Sequence, residues 1–155
     1  MNKIKKIFLP CIIAVLLGIQ PISVMANSNS VIHVTKEYLN DGSYFETIIE
    51  SNDNQKSSIK NASKTLAYKK ANGDTLWYAK VTADFYYDGN TSSCTSASAS
   101  GKSYVSEWKI LDTSSSRTGN VGSATVTAGA YYLGVYIDSV TVKVLLSCDK
   151  NGNLS

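Results

Sequence analysis

The sequence predicts an all-β domain, an antiparallel β-sandwich or a barrel-like relative of it, with about eight strands and one disulfide. Beyond residue 26, apolar and polar side chains alternate with a period of two over most of the chain. Gly-containing turn sequences separate the alternating stretches. No stretch beyond residue 26 has a convincing helical period. The prediction rests on these three observations.

The first element is a predicted secretory signal peptide. Three lysines within Met1–Lys6 precede the apolar run 7–19, and Val24 and Ala26 suit the −3 and −1 positions of a cleavage site. The apolar run is short for a membrane span, which needs about 20 apolar residues. We therefore expect cleavage after Ala26, which leaves residues 27–155 as a single secreted, extracellular β domain without an anchor.

Cleavage changes the charge balance of the chain. Removing 26 of the 155 residues leaves 129, and the three lysines that are lost reduce 15 basic residues to 12, against 12 acidic ones. The mature net charge is then zero. Because no basic stripe remains to neutralise phosphates, the composition argues against nucleic-acid binding.

The first two strands are predicted at 31–39 and 43–51. They flank the hairpin signal Asn40-Asp41-Gly42, and a polar loop at 51–61 follows them.

The next hairpin turns at Asn72-Gly73, for which we expect a type I′ turn with Ala71 facing Asp74 and Tyr68 facing Trp77. From Trp77 to Tyr87 the odd positions are apolar, so they are predicted to face the core. The even positions form the opposite, mixed face, and four of them make a candidate binding surface: Tyr78, Lys80, Asp84 and Tyr86.

The two cysteines of the mature chain also fall on apolar faces. A two-residue turn at Asp88-Gly89 places Cys94 opposite Ala83, and the alternation of the last strand, 135–148, puts Cys148 on its apolar side. An exported pair of this kind predicts a disulfide, worth about 4 kcal/mol in the chain-entropy account. A three-residue turn with a bulge would reverse the face of Cys94.

The remaining pattern predicts strands at 103–111 and 122–131. A second polar loop is expected at 113–120, and Leu133-Gly134 is expected to turn into the last strand. The serines and threonines of this half are expected to cover the solvent face of a sheet.

Catalytic and metal chemistry find little support in the sequence. The single histidine, His33, lies near the mature N-terminus and is interpreted as an exposed strand residue rather than part of a triad. Two cysteines and one distant histidine do not make a zinc site. The segment 149–153 begins like a calcium loop but lacks the later acidic ligand, so it is expected to form a turn. We expect no cofactor and no bound metal.

Several motifs resemble a family of small secreted proteins from Gram-positive bacteria, a family of unknown function. The resemblance covers residues 60–155 and rests on a Leu-Trp-Tyr strand, a Cys within a Ser/Ala run, a Trp-Lys strand and the segment Cys-Asp-Lys-Asn-Gly. It implies a secreted bacterial β domain and carries over no catalytic or binding residue.

The resulting expectation is a secreted, non-enzymatic interaction module that binds a surface glycan or a protein. Export, zero net charge and exposed aromatic rings on the mixed face favour it. Two alternatives stay open. One is a membrane-active β-hairpin protein, because 121–131 has the length and alternation of an inserting strand. The other is a hydrolase that uses paired carboxylates.

Overall fold

The computed structural model of the protein describes residues 29–52 and 58–155. The predicted signal peptide and its cleavage site after Ala26 lie outside the described residues. The described part of the chain forms eight β-strands: β1 Asn29–Tyr38, β2 Tyr44–Asn52, β3 Ile59–Lys69, β4 Thr75–Tyr87, β5 Ser92–Ser103, β6 Trp108–Thr118, β7 Val121–Tyr132 and β8 Val135–Ser147.

The strands form two antiparallel sheets, which confirms the predicted all-β class. The larger sheet has the order β1-β2-β3-β4-β5, and the smaller one has the order β6-β7-β8. Within each sheet, strands that are consecutive in sequence pair with one another, and one core contains residues from both sheets, so the fold is sandwich-like. A search of the described residues for a helix long and apolar enough to cross a bilayer finds none.

The hairpin around Asn72-Gly73 forms, but with a different turn from the predicted one. Gly73 has φ 94° whereas Asn72 does not have a positive φ, and Lys70 N–H donates to the Asp74 carbonyl at 2.9 Å. Lys70 therefore faces Asp74, in place of Ala71. This is a three-residue turn followed by a bulge. A register shift after Tyr68 compensates, so Tyr68 still faces Trp77 as predicted.

The turn after β4 is also longer than predicted. The Oδ1 atom of Asp88 accepts hydrogen bonds from the N–H groups of Asn90 and Thr91 at 2.9 and 2.7 Å, and Tyr87 pairs with Ser92 instead of Asn90. Cys94 consequently lies opposite Phe85, so the predicted partner Ala83 was wrong. Because this moves the register by an even number of residues, Cys94 keeps its predicted place in the core.

Two assignments in the second half of the chain were wrong. The stretch 113–118 belongs to β6, and only Gly119 and Asn120 turn before β7. Residues 104–107 connect β5 to β6, so the expected strand 103–111 begins only at Trp108. Serine- and threonine-rich sequence can form a strand where only one of its faces is in contact with the rest of the protein.

The core combines an aromatic cluster with a layer of small side chains. Trp77 is fully buried and its ring lies 6.0 Å from Tyr68 and 5.8 Å from Trp108. Small residues face one another where β4 and β5 pack on β7. A Cβ at Gly122 would approach the Ala83 Cβ to 2.9 Å, so the two sheets lie close together at this point.

Candidate functional site

The two sheets are unequal in width, and this leaves the sandwich-like fold open along one side. β6 and β7 pack against β5 and β4, while β8 lies over β3 and β4. β1 and β2 extend beyond the smaller sheet, which has too few strands to cover them. We call the β5–β6 margin the closed side and the β1–β8 margin the open side.

A cleft lies between the sheets on the open side. Its larger section has a volume of about 520 Å³ and runs along β1, β2 and β3. A smaller section of about 250 Å³ continues it toward β8. Both sections include Thr47 and Lys64, so they form one cleft, lined by Ile32, His33, Thr35, Thr47, Ile49, Lys64, Leu66, Lys143, Val144, Leu145, Leu154 and Ser155.

The inner face of the larger sheet provides the floor of the cleft. His33 faces Ile49 across β1 and β2, and Ile49 faces Lys64 across β2 and β3, so the three side chains lie in one row. His33 is exposed, as interpreted from the sequence, but it belongs to the cleft lining. The floor thus places one imidazole and one ammonium group around an aliphatic side chain.

The last residues of the chain form part of the cleft wall. Residues 149–153 make the expected turn, in which Gly152 has φ 84° and its N–H donates to the Asp149 carbonyl at 3.0 Å. The chain then returns along β8, where Ser155 and Ser147 exchange backbone hydrogen bonds of 3.0 and 2.9 Å. This pairing holds Leu154 over the cleft.

The described side chains of the cleft carry charge of one sign. Lys64 and Lys143 line it, and no carboxylate side chain is among its described lining residues. Within residues 29–52 and 58–155, neither lysine has an ion-pair partner. The cleft therefore combines two unneutralised ammonium groups with hydroxyl and aliphatic side chains, a combination that suits an extended ligand with acidic groups.

The four residues of the predicted binding surface share the outer face of β4, away from the core. Tyr78 and Tyr86 lie eight residues apart, which is about 26 Å along a strand. Tyr78 packs near Tyr104, with ring centroids 6.2 Å apart, and Tyr86 is 40% exposed at the other end. The structure places all four on one face but does not gather them into a pocket.

The polar members of this face already have protein partners. Lys80 forms an ion pair with Glu50 at 3.6 Å. Asp84 accepts hydrogen bonds from the Asn61 amide at 2.7 Å and from the Ser96 hydroxyl at 2.6 Å. A ligand on the outer face would have to compete with these contacts, whereas the lysines of the cleft are available.

The two cysteines are separate buried thiols in the structure, so the disulfide is not confirmed. Cys94 N–H donates to the Gly119 carbonyl at 2.8 Å, and Cys148 N–H donates to the Asn120 carbonyl at 3.1 Å. Both therefore lie beside the same turn. Burial raises the pKa of each thiol, which keeps it protonated and unreactive at neutral pH.

The acidic residues with resolved pKa shifts serve structural contacts. A hydrogen bond from Lys69 lowers the pKa of Glu46, and backbone N–H groups of Thr91 and Asn90 lower the pKa of Asp88. Hydrogen bonds from Ser43 and Asn153 do the same for Asp41 and Asp149. A lowered pKa favours the ionised form and opposes a role as general acid. In the part of the chain that the structure describes, no cluster of His, Cys, Asp or Glu side chains could hold a metal ion.

Comparisons with known proteins assign no function to this chain. A scan of family models, a search of curated proteins and a search of solved structures each find no match to this chain. Sequence reasoning missed Lys64 and Lys143, because neither stands out from the other lysines of the chain. Lys64 lies on the inner face of β3, and Lys143 lies on β8, the edge strand of the smaller sheet. Only the packing of the two sheets shows that this side of the fold is open.

Proposed function

We propose that the protein is a secreted, non-enzymatic interaction module that binds its partner in the cleft on the open side. The observation that carries the proposal is a pair of lysines without ion-pair partners within the described residues. Lys64 lies on the floor shared by both sections of the cleft, of about 520 and 250 Å³, and Lys143 lines the smaller section. Ligand sites are typically concave and mostly apolar, with a few oriented polar groups. The cleft fits that description better than the flat outer face.

The lining favours a protein partner over a surface glycan. Aliphatic side chains and hydroxyl groups line the cleft, and no Phe, Tyr or Trp ring on which a sugar could stack is among its described lining residues. The cleft also runs between β1 and β8, each of which forms the edge of its sheet. An extended peptide can add to such an edge through backbone hydrogen bonds. We therefore propose an extended, acidic segment of another protein as the partner.

The test compares ligand binding by the wild-type protein on a peptide array of graded acidic content and on a glycan array. Replacing both cleft lysines, as Lys64→Ser with Lys143→Ser, is expected to lower affinity for acidic peptides about tenfold or more. The matched control is Lys70→Ser with Lys102→Ser, which removes the same charge away from the cleft and is expected to leave binding unchanged.

Other outcomes would contradict specific parts of the proposal. Binding that is lost only in a Tyr78→Ala, Tyr86→Ala variant would move the site to the outer face. Binding confined to the glycan array would exclude the peptide partner. Equal losses of peptide affinity in the cleft and control variants would show that general charge attraction, and not the cleft, causes binding. Absence of any ligand on both arrays would contradict the binding role.

Secretion and the disulfide are part of the same proposal. The sequence motifs of the first 26 residues support export, and the resemblance to secreted proteins of Gram-positive bacteria agrees with it. In an oxidising compartment, Cys94 and Cys148 are expected to form the bridge, because they lie beside the same turn. Intact-mass measurement of exported protein, alkylated without reductant, checks this prediction. Two alkylated thiols in unfolded protein would contradict it.

A further inference from the structure

The β7–β8 hairpin ends in an apolar tip that the rest of the fold does not use. The tip comprises Tyr131–Ile137, and no charged residue lies within it. Five of its side chains are between 51% and 88% exposed: Tyr132, Leu133, Val135, Tyr136 and Ile137. Soluble domains rarely leave so many large apolar side chains together in water.

The tip extends beyond the strands around it. The pairing of β6 with β7 begins at Trp108, which faces Ala130, and the last backbone contact is from Tyr131 N–H to the Glu107 carbonyl at 2.8 Å. From Tyr132 to Val135 the hairpin pairs only with itself. Beyond Tyr131, whose ring lies 4.4 Å from the Lys109 ammonium of β6, the tip consequently has no backbone pairing with a third strand within the described residues.

The apolar character covers both faces of the hairpin. Tyr132 faces Val135 on one side, and Tyr131 faces Tyr136 on the other, with ring centroids 5.7 Å apart. A strand that docks on a flat protein surface needs only one apolar face. Two apolar faces and an apolar apex are instead expected where a binding partner encloses the tip on all sides.

The apex is both strained and unsupported. Leu133 has φ 49° and Gly134 has φ 80°, so the two residues form the turn type that Asn-Gly usually occupies. A leucine is disfavoured in this conformation, and this one is 88% exposed, so it gains no packing in return. Backbone strain that no packing contact within the fold offsets indicates a functional constraint.

We propose that this tip inserts into the surface of a phospholipid bilayer. Tyrosine rings favour the membrane–water interface, and leucine, valine and isoleucine favour the acyl region beneath it. Charged residues limit the depth, because Glu107 and Lys109 lie beside Tyr131 at the start of the tip and Asp138 directly follows its end. Two tip residues precede the Leu133-Gly134 turn and three follow it, so the tip reaches about 10 Å, against about 30 Å for the hydrocarbon core. The tip therefore anchors in one leaflet without spanning it.

The test is co-sedimentation of the purified protein with phosphatidylcholine vesicles and with vesicles that contain phosphatidylglycerol. Wild type is expected to bind both, because the tip itself is uncharged, and to leave an enclosed dye inside. Leu133→Asn is expected to lower vesicle binding about tenfold or more. The same variant should raise the melting temperature by about 2 °C or leave it unchanged, because asparagine tolerates positive φ.

The matched control is Leu39→Asn, which makes the same replacement at the turn between β1 and β2, where Leu39 is 40% exposed. It is expected to keep wild-type vesicle binding. The proposal is overturned if wild type fails to bind either vesicle, if Leu133→Asn binds like wild type, or if the control loses as much. It is also overturned if sedimentation velocity shows that Leu133→Asn abolishes a dimer instead, because a second copy would then cover the tip. Dye release would indicate a spanning pore and contradict single-leaflet insertion.

Discussion

The closed and open sides of the fold are built from the same kind of strand but are held together differently. On the closed side, small side chains let the sheets approach, and Arg117 of β6 donates a hydrogen bond to the Cys94 carbonyl of β5 at 3.1 Å. On the open side, no second sheet formed by residues 29–52 and 58–155 covers β1 and β2. There, ion pairs on the outer face link neighbouring strands, with Glu46 of β2 contacting Lys36 of β1 and Lys69 of β3.

This difference shows where the protein can vary in function without loss of fold. Close packing transmits any change in volume to its neighbours, so the closed side tolerates little change. Cross-strand polar contacts at a surface contribute less, and an open cleft can accept new side chains. The open side is therefore the region in which binding residues can be placed, and it should be the less stable of the two.

The largest effect is expected from Gly122→Ala on the closed side. The new Cβ would lie 2.9 Å from the Ala83 Cβ and 3.2 Å from the Cys94 Sγ, and both neighbours are fixed by their strands. We expect a loss of about 2 kcal/mol in the free energy of unfolding, measured by chemical denaturation.

Gly129→Ala is the matched control on the same strand. Its Cβ would come within 2.8 Å of the Leu111 side chain, which is 47% exposed and can turn away into solvent. Its effect should stay within about 0.5 kcal/mol. Equal losses in the two variants would show that the contrast between fixed and mobile neighbours is wrong.

A smaller effect is expected from Glu46→Gln, which removes the ion pairs of the open side. In the wild type, the hydrogen bond from Lys69 is the main cause that lowers the pKa of Glu46 from its ordinary value of 4.5. Ionised Glu46 therefore stabilises the folded state above pH 4.5. This contribution is lost as pH falls through the lower folded-state pKa. The variant should cost about 1 kcal/mol at neutral pH and progressively less as acid protonates the wild-type side chain.

Hydrogen exchange locates this loss within the fold. As pH falls below 4.5, amides of β1–β3 in the wild type should lose protection relative to those of β4–β7, after correction for the intrinsic exchange rate. A uniform loss over both sheets would contradict the separate stabilities of the two sides.

The smallest stability effect is expected from Thr47→Leu, which fills part of the cleft. The side chain enters open space, so the free energy of unfolding should change by no more than about 0.5 kcal/mol. Peptide binding in the cleft should nevertheless be lost. Thr82→Leu, on the outer face of β4, is the control and should bind like wild type. Unchanged binding by Thr47→Leu would place the partner elsewhere.

Local sequence determined much of this fold because alternation and turn chemistry act over a few residues. It predicted the register between Tyr68 and Trp77, the face of Cys94 and the outer position of Tyr78 and Tyr86, all of which the structure has. It failed on turn details, since bulges change the partners of individual residues. The apolar tip at 131–137 was visible in the sequence, but the pattern did not show that it extends beyond its neighbours.

Tertiary structure alone decided which faces are covered. The cleft exists because five strands pack against three, and the number of strands in each sheet follows from long-range packing of β5 against β6 and β8 over β3. The row of His33, Ile49 and Lys64 joins residues from three strands, and their meeting depends on two registers at once. The sequence determined which side chains each strand presents, whereas the unequal widths of the sheets determined which of them face solvent, because burial depends on what lies opposite.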